Sequence, residues 1–318
     1  MNKNKLAIVI PAYKEIYLEE ALESISSQTC KNFTVYIGDD HSPYDLFSII
    51  EKFSDKININ YFQFEKNLGG TDLVKQWERC IELTNDEEWI WLFSDDDVME
   101  KNCVENFYKT LQTDTESDLF HFDVKVINNS GKILEASNQF PQKLGIEEFL
   151  IKRLNYQLHS FVVEYIFKKK VYYENFKFQN FDLAWCSDDA TWVKFGLNKG
   201  ITTISNAFVL WRYSEINISS NLKDEMIILR KLESAIQYIT WLRSFNFKNY
   251  NNKNNDLRKI KWILGSINKA SSFSFNFKIK VYVKVWKKMN NGFSFKVLSW
   301  MLLSLCRTEL ESILRKNK

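Results

Sequence analysis

The apolar run Trp89-Ile90-Trp91-Leu92-Phe93 stops abruptly at Ser94-Asp95-Asp96-Asp97. Five apolar residues in a row, without polar alternation, predict a strand that is buried on both faces of a sheet. Open sheets of this kind are covered by helices, and their ligands bind outside the carboxyl ends of the strands. The three aspartates are therefore expected at the ligand-binding edge of an α/β domain.

The residues before this strand repeat the same unit. Residues 6–10, 33–37 and 57–62 predict three further strands, and apolar residues at helical spacing lie between them. The second of these strands runs into Gly38-Asp39-Asp40, so an acidic pair should reach the same edge as the triple aspartate. The alternation predicts an α/β fold with a mostly parallel sheet flanked by helices.

The C-terminal third of the chain differs in charge and in pattern. Residues 220–318 contain 20 Lys and Arg against 6 Asp and Glu, although the net charge of the 318 residues is only +3. Apolar residues there follow helical spacing, and the Asn-rich stretch 249–255 predicts a linker. We therefore expect a domain over residues 1–220 and a basic, aromatic-rich helical region over 221–318.

Cysteine usage and hydropathy bear on the compartment. The five cysteines are scattered and form no Cys-x-x-Cys pair, which is typical of reduced thiols in a cytosolic protein. The N-terminus leads directly into an apolar strand, so no signal peptide is expected. The longest apolar stretch, 297–306, is far shorter than the ~20 residues that span a bilayer. These features favour a cytoplasmic protein, soluble or peripheral at the inner face of the membrane.

The triple aspartate allows two interpretations. Adjacent carboxylates repel one another, and Mg²⁺ or Mn²⁺ would relieve that repulsion while binding substrate phosphates. Alternatively, a solvated acidic loop caps the following helix. The acidic pair at Asp39-Asp40 could likewise accept hydrogen bonds from a base or ribose, or form a turn. No Gly-x-Gly-x-x-Gly follows the first strand, which argues against a dinucleotide-dependent dehydrogenase.

Several short motifs occur in a fixed order along the chain. They are Pro11-Ala12-Tyr13-Lys14-Glu15, Ile25-Ser26-Ser27-Gln28-Thr29, Gly38-Asp39-Asp40-His41-Ser42, Asn67-Leu68-Gly69-Gly70, Ser94-Asp95-Asp96-Asp97, Ser187-Asp188-Asp189, Trp211-Arg212-Tyr213-Ser214 and Ile218-Ser219. Together these motifs resemble an inverting, family-2-type glycosyltransferase with the GT-A fold. The resemblance covers residues 6–220 and depends on the order of the set.

The resemblance implies a reaction and its partners. The donor would be a nucleoside diphosphate sugar, with UDP as the expected nucleotide, and the cofactor would be Mg²⁺ or Mn²⁺. The acceptor would be a saccharide or a lipid-linked saccharide, in the assembly of a bacterial surface polysaccharide. Nucleic acid is not expected as a partner, because the matched region is acidic and carries no nucleic-acid motif.

The resemblance also implies roles for individual residues. Two departures from the family pattern affect them: Ser94 replaces the usual first acid of the metal motif, and the Ala-Arg-Asn that often follows Asn-x-Gly is absent. The first departure leaves Asp95 as an alternative to Asp96 for the main metal ligand, and because of the second, Lys75 or Arg212 would hold the donor phosphates. The implied roles are donor binding by Pro11, Tyr13, Glu15, Asp40, Asn67, Asp95 and Arg212, metal binding by Asp96 with Asp95 and Asp97, and catalysis by Asp189 as general base positioned by Asp188.

Other interpretations remain open at this point. Asp188 and Asp189 could simply cap a helix. A nucleotidyltransferase also needs acids, metal and phosphate, but it would normally carry a Gly- and Lys-rich phosphate loop near the first strand. A catalytically silent sugar-nucleotide-binding or scaffold protein would keep the fold without the reaction. The basic C-terminal region could bind an anionic membrane surface or be a solvated helical appendage.

Overall fold

The computed structural model describes residues 5–136, 139–214, 224–269, 273–289 and 295–316. The chain divides into two compact units. The first contains the residues up to 180 and residues 187–214, whereas the second contains residues 181–186 and the residues beyond 214. The predicted boundary at residue 220 lies within 215–223, outside the described residues, as does the Ile218-Ser219 motif.

A mixed sheet organises the described part of the first unit. Its ten strands are β1 (Leu6–Ala12), β2 (Phe33–Asp39), β3 (Ile59–Gln63), β4 (Trp89–Leu92), β5 (Val98–Met99), β6 (Leu119–Ile127), β7 (Ile133–Ala136), β8 (Lys143–Leu144), β9 (Tyr165–Lys168) and β10 (Ile201–Arg212). The order is β3-β2-β1-β4-β9-β6-β10-β5, with β7 beside β6 and β8 beside β10. Strands β1 to β4, β6 and β10 share one direction, as expected, and the other four run against them, which makes the sheet mixed.

Helices cover both faces of this sheet. Within the described residues of the first unit they are α1 (Leu18–Ser26), α2 (Leu46–Ile50), α3 (Leu73–Ile81), α4 (Cys103–Thr113), α5 (Ile146–Leu154), α6 (Lys169–Glu174) and α7 (Ser187–Gly196). Leu6 and Ile8 of β1 pack into the core that α1, α2 and α4 complete. Ala7 and Val9 point to the opposite face, because side chains alternate along a strand, and α3 packs there. All four are fully buried, which explains the continuous apolar run.

Four helices form the described part of the second unit: α8 (Glu225–Leu242), α9 (Asp256–Lys269), α10 (Phe275–Met289) and α11 (Phe295–Lys316). The Asp224 carboxylate caps α8 by accepting the N–H of Met226 at 2.8 Å. Glu233 of α8 forms ion pairs with Lys284 and Lys288 of α10, at 2.8 and 3.1 Å. These contacts hold α8 against α10.

The Asn-rich stretch is part of this helical unit. Asn255 is buried and donates its side-chain N–H to the carbonyl of Asn249 at 2.8 Å. A short 3₁₀ turn, Lys253–Asn255, then leads directly into α9. The prediction of a linker over 249–255 is therefore wrong, because asparagine side chains here close a turn instead of leaving the backbone open to water.

None of the helices in the described ranges is both long and apolar enough to cross a membrane.

Candidate functional site

Hydrogen bonds tie together the loops that follow β1, β2 and β4. The Asp95 carboxylate accepts the backbone N–H groups of Tyr13 at 2.9 Å and Lys14 at 2.8 Å. The hydroxyl of Ser42, after β2, donates to the carbonyl of Tyr13 at 2.7 Å. These residues are distant in sequence, and they meet because β1 pairs in parallel with both β2 and β4. The predicted convergence at the carboxyl edge of the sheet is thus present.

Three buried carboxylates crowd this edge. Asp95, Asp96 and Asp97 are only 4, 5 and 2% exposed. The Lys14 ammonium contacts the Asp96 carboxylate and lies 3.7 Å from Oδ1 of Asp95. Burial raises the pKa of Asp95 and raises that of Asp97 well above its ordinary value, and the adjacent Asp96 raises both further. One ammonium therefore faces more negative charge than it can neutralise.

The donor set of these three residues fits a hard divalent cation. Mg²⁺ and Mn²⁺ prefer oxygen ligands, and they commonly take one or two carboxylates together with substrate phosphates. The carboxylates of Asp95 and Asp97 accept backbone N–H groups, whereas that of Asp96 contacts the side chains of Lys14 and Ser94. Asp96 is thus the carboxylate that is easiest to transfer to a metal. Within the described ranges, no three His, Cys, Asp or Glu side chains already form a metal-binding arrangement.

Arg212, at the end of β10, lies in the interior and does not face solvent. Its backbone N–H donates to Oδ1 of Asp97 at 2.6 Å, and its Nε donates to the carbonyl of Asp96 at 2.8 Å. Its Nη2 lies 2.5 Å from the carboxylate of Glu20. The Arg212 side chain is 0% exposed, and its hydrogen bonds hold the loop of the three aspartates from the interior of the protein. This placement departs from the prediction that Arg212 holds the donor phosphates.

The side chain of Asp40, predicted to contact the nucleotide base, accepts hydrogen bonds from the loop after β3. Its Oδ1 accepts the N–H of Leu68 at 2.7 Å, and its Oδ2 accepts the N–H of Gly69 at 2.8 Å. The side-chain amide of Asn67 donates to Oδ2 at 2.9 Å, and Nη2 of Arg79 lies 2.5 Å from Oδ1. In this structure Asp40 and Asn67 build the loop, and Asp40 is 4% exposed.

The glycines of Asn67-Leu68-Gly69-Gly70 permit this close approach. A Cβ atom at Gly69 would lie 2.7 Å from Oδ2 of Asp40, and one at Gly70 would lie 2.7 Å from Oδ1 of Asn67. Both distances are shorter than any ordinary contact of a side-chain carbon. The motif therefore has a structural cause: the backbone must come within hydrogen-bond distance of a buried carboxylate.

The remaining predicted donor contacts lie in the loop after β1. Tyr13 is 42% exposed, Glu15 is exposed and Pro11 is half-buried. Tyr13 is fixed through its backbone by Asp95 and Ser42, while its ring stays accessible. These side chains are available to a ligand at the acidic edge of the sheet.

The acidic pair Asp188-Asp189 lies in the first turn of α7. Asp189 is 3% exposed, and its Oδ2 accepts two N–H groups of Arg153 in α5, at 2.7 and 3.2 Å. Its Oδ1 is buried and has no hydrogen-bond partner in the described part of the chain. Burial, with the charge of Asp189 beside it, raises the pKa of Asp188 to about 7. The pair thus consists of Asp189, whose carboxylate is bound by Arg153, and Asp188, whose pKa lies near neutrality.

Sequence reasoning missed the residues that hold these acids. Lys14, Arg79 and Arg153 each bind one of the acids that the motifs identify. Lys14 lies inside the motif Pro11-Ala12-Tyr13-Lys14-Glu15, so the sequence could have indicated its place at the site. Arg79 lies on α3 and Arg153 on α5, and no local pattern marks either as a partner of a distant aspartate. Trp192, three residues after Asp189 on α7, is a core residue: it is fully buried and stacks on Tyr165 at 4.4 Å.

Similarity to known proteins agrees with this geometry. A family model described as glycosyl transferase family 2 matches residues 7–174, more than half of the 318 residues. The chain belongs to glycosyl transferase family 2. The match contains the loops after β1, β2 and β4 and ends before Asp188 and Asp189.

Relatives of known name are similar over part of this family 2 chain. The poly(ribitol-phosphate) beta-N-acetylglucosaminyltransferase TarS of Staphylococcus aureus is 29% identical over 131 residues, which cover 40% of this chain and 22% of TarS. Glycosyltransferase GlyG of Streptococcus pneumoniae is 25% identical over 153 residues, 48% of each chain. The matched region therefore spans about a fifth to a half of the length of these relatives.

Solved structures extend the likeness to most of the chain. The crystal structure of S. aureus TarS 1–349 in complex with UDP-GlcNAc aligns with a TM-score of 0.59 and 18% identity, covering 90% of this chain and 88% of that one. The mannosyltransferase PcManGT from Pyrobaculum calidifontis, in complex with GDP-Man and Mn²⁺, aligns with a TM-score of 0.55 and 11% identity, covering 98% and 88%. These likenesses confirm the expected GT-A-type fold of the family 2 chain.

Proposed function

We propose that this protein transfers a sugar from a nucleoside diphosphate sugar, first among them a UDP-sugar, to an acceptor hydroxyl with inversion. The observation that carries the proposal is the acidic edge, where Asp95 joins the loops after β1 and β4 beside two further buried aspartates. Ligands of open α/β sheets bind at this edge. Membership of family 2 supports the transfer reaction, and the UDP-GlcNAc and UDP complexes of TarS support the choice of UDP.

Donor binding is assigned to the exposed part of the edge. Pro11, Tyr13 and Glu15 line the pocket for the base, supported by their exposure beside Asp95. Asp40 acts on this pocket indirectly, because it closes the loop at residues 67–70. Lys75 on α3, with 64% of its side chain exposed, takes the place of Arg212 as the cation proposed for the donor phosphates.

Mg²⁺ or Mn²⁺ is the proposed cofactor, held by Asp96 with Asp95 and Asp97 beside it. The ion, when bound, stabilises the charge that develops on the departing diphosphate. The Lys14 ammonium contacts Oδ2 of Asp96, so Lys14 would compete with the ion for this carboxylate. Lys14 therefore offsets part of the negative charge of these carboxylates.

Asp189 is the proposed general base, with Asp188 as its partner. Asp189 accepts the proton of the acceptor hydroxyl, the acceptor oxygen bonds to the anomeric carbon, and the bond from that carbon to the diphosphate oxygen breaks. Its electron pair leaves with the nucleotide. Attack on the face opposite the leaving group inverts the anomeric carbon. The unpartnered Oδ1 of Asp189 is the oxygen that supports this role.

The proposed acceptor is a saccharide or lipid-linked saccharide of a bacterial surface polysaccharide. The similarity to TarS, a poly(ribitol-phosphate) beta-N-acetylglucosaminyltransferase, supports an acceptor of this kind. We propose a cytoplasmic location at the inner face of the membrane. The five cysteines are all free thiols, and α11 exposes Leu302 and Leu303 beside the exposed Arg307 in a strongly basic region. Exposed apolar side chains with surrounding cations suit an anionic lipid surface.

Incubation with UDP-GlcNAc, UDP-glucose and UDP-galactose in Mn²⁺ tests the proposal. Release of UDP, lost in Asp189→Asn while UDP binding remains, is the expected result. Release of pyrophosphate from UTP and a sugar 1-phosphate would identify a nucleotidyltransferase instead. Binding of UDP without either reaction, over a range of saccharide acceptors, would identify a silent sugar-nucleotide-binding protein.

A further inference from the structure

The half-buried Arg153 binds Asp189, the second acid of the pair on α7. Arg153 of α5 donates from Nη2 and Nε to the same oxygen, Oδ2 of Asp189, at 2.7 and 3.2 Å. Its third nitrogen, Nη1, donates to the carbonyl of Leu158 at 2.9 Å, which fixes the guanidinium itself. The carboxylate is therefore held by one of its two oxygens and by a group that is rigidly placed.

The other oxygen of Asp189 is left without a partner. Oδ1 is buried, and no described residue donates a hydrogen bond to it. A buried acceptor without a hydrogen bond is costly, so most buried polar atoms in proteins have a partner. An oxygen kept free at this cost, on the proposed general base, is in the state needed to accept a hydroxyl group of a substrate.

The charges around the pair indicate which carboxyl the arginine serves. Asp188, Asp189 and Glu164 all lie near Arg153, and one guanidinium cannot compensate three carboxylates. Burial raises the pKa of Glu164 well above its ordinary value and that of Asp188 to about 7. The guanidinium donates two hydrogen bonds to the carboxylate of Asp189, and this contact identifies the carboxyl that the arginine serves.

We propose that Arg153 is a positioning residue for the transfer: it binds Oδ2 of Asp189 and thereby leaves Oδ1 as the oxygen that takes the acceptor proton. The inference rests on the proposed function, because it concerns the base of that reaction. It adds a residue from α5, outside every motif of the chain, whose effect on the reaction runs through Asp189. Arg153 itself is assigned no contact with the donor or the acceptor.

Variants of Arg153 test the assignment through UDP release from UDP-GlcNAc, with water as acceptor. Arg153→Ala should lower kcat about 100-fold, within the range of general-base catalysis, and leave the Kd for UDP unchanged within about twofold. Arg153→Lys should recover part of the rate, because it returns the charge with fewer hydrogen bonds. Added guanidinium ion should raise the rate of Arg153→Ala and not that of Asp189→Asn.

The pH profile separates positioning from a merely structural role. In Arg153→Ala the pH profile of kcat should change, because the carboxylate of Asp189 loses the guanidinium that binds it. The groups facing Asp189 include Asp188 on α7, Glu164 before β9, Tyr165 on β9 and Arg153 on α5, so Glu164→Gln is measured beside it. Lys152→Met, the neighbouring cation of α5 that pairs with Glu148, is the matched control and should keep the wild-type rate and profile.

The outcomes distinguish this inference from the proposed function. A wild-type rate and pH profile in Arg153→Ala would overturn it, as would loss of UDP binding, which would mark a structural residue. Carbon-13 NMR of labelled aspartate gives a readout without turnover: the carboxyl signal absent from Asp189→Asn should move in Arg153→Ala and stay in Lys152→Met. An unmoved signal overturns the inference. If the signal moves but the protein never releases UDP, the ion pair is supported and the proposed function is overturned.

Discussion

Glu164→Gln should make the protein more stable than the wild type by an amount that grows with pH. Nε2 of His121 and Oε1 of Glu164 are 3.2 Å apart, and both side chains are 1% exposed. That separation would suit an ion pair. Burial, however, lowers the pKa of His121 to about 3 and raises that of Glu164 well above its ordinary value. We expect a neutral imidazole beside a protonated carboxyl, because desolvating two charges commonly costs more than their attraction returns.

The magnitude follows from proton counting. In the unfolded chain the two groups have their ordinary pKa values, 4.5 for Glu164 and 6.5 for His121. Between these values, the unfolded pair carries one proton on His121 and the native pair carries one on Glu164, so their effects on stability cancel. Above pH 6.5 the native pair keeps a proton that the unfolded pair has lost. Stability then falls by about 1.4 kcal/mol per pH unit until the raised pKa of Glu164 is reached.

Urea unfolding at pH 6, 7 and 8 measures this effect. The Gln variant lacks the titrating carboxyl and keeps its shape, so its stability relative to the wild type should increase by about 1.4 kcal/mol for each pH unit. Glu148→Gln, which removes an exposed carboxyl of α5, is the matched control for loss of a carboxylate. A difference that stays constant from pH 6 to pH 8 would refute the reasoning and show that Glu164 holds no proton in the native protein over that range.

Three further predictions concern the site and the basic region. Gly69→Ala should lower the free energy of unfolding by about 1–3 kcal/mol and weaken UDP binding, because the new Cβ meets Oδ2 of Asp40. Gly145→Ala is the control, since a Cβ there meets nothing within 4 Å, and equal effects of the two changes in calorimetry would contradict this explanation. Lys14→Met should tighten Mn²⁺ binding by about tenfold in a titration followed by electron paramagnetic resonance, since a competing cation leaves Asp96; unchanged affinity would place the metal elsewhere. The double change of Leu302 and Leu303 to Ser should abolish flotation with anionic liposomes at low salt, whereas a wild type that stays unbound would remove the membrane proposal.

Much of the first unit could be predicted because its sequence signals are long. The apolar runs of β1 and β4 are buried on both faces, and the helical spacing over α1 and α3 matches the observed helices. Strands such as β5, with only two residues, carry no periodicity and exist because a neighbouring strand pairs with them. The Asn-rich turn was missed for a related reason, since composition does not reveal which amides bond to one another.

The acids of the site were predictable, and their partners were not. A cluster such as Asp95-Asp96-Asp97 after an apolar strand signals chemistry by its own charge repulsion. The same motif cannot distinguish a carboxylate that faces a ligand from one that holds a loop, as Asp40 does. Arg153 stands 36 positions from Asp189, so only the packing of α5 against the start of α7 brings them together. Arg212 was visible in the sequence, but its burial was not.

Calorimetric titration of the protein with UDP, in the presence and absence of Mn²⁺, tests the nucleotide-sugar site most directly. The account predicts binding of UDP that is strengthened by Mn²⁺, is weaker for GDP and CDP, and loses its Mn²⁺ dependence in Asp96→Asn. Absence of binding by well-folded protein, with every nucleotide and with metal present, would contradict the account and leave the aspartates as loop-forming residues.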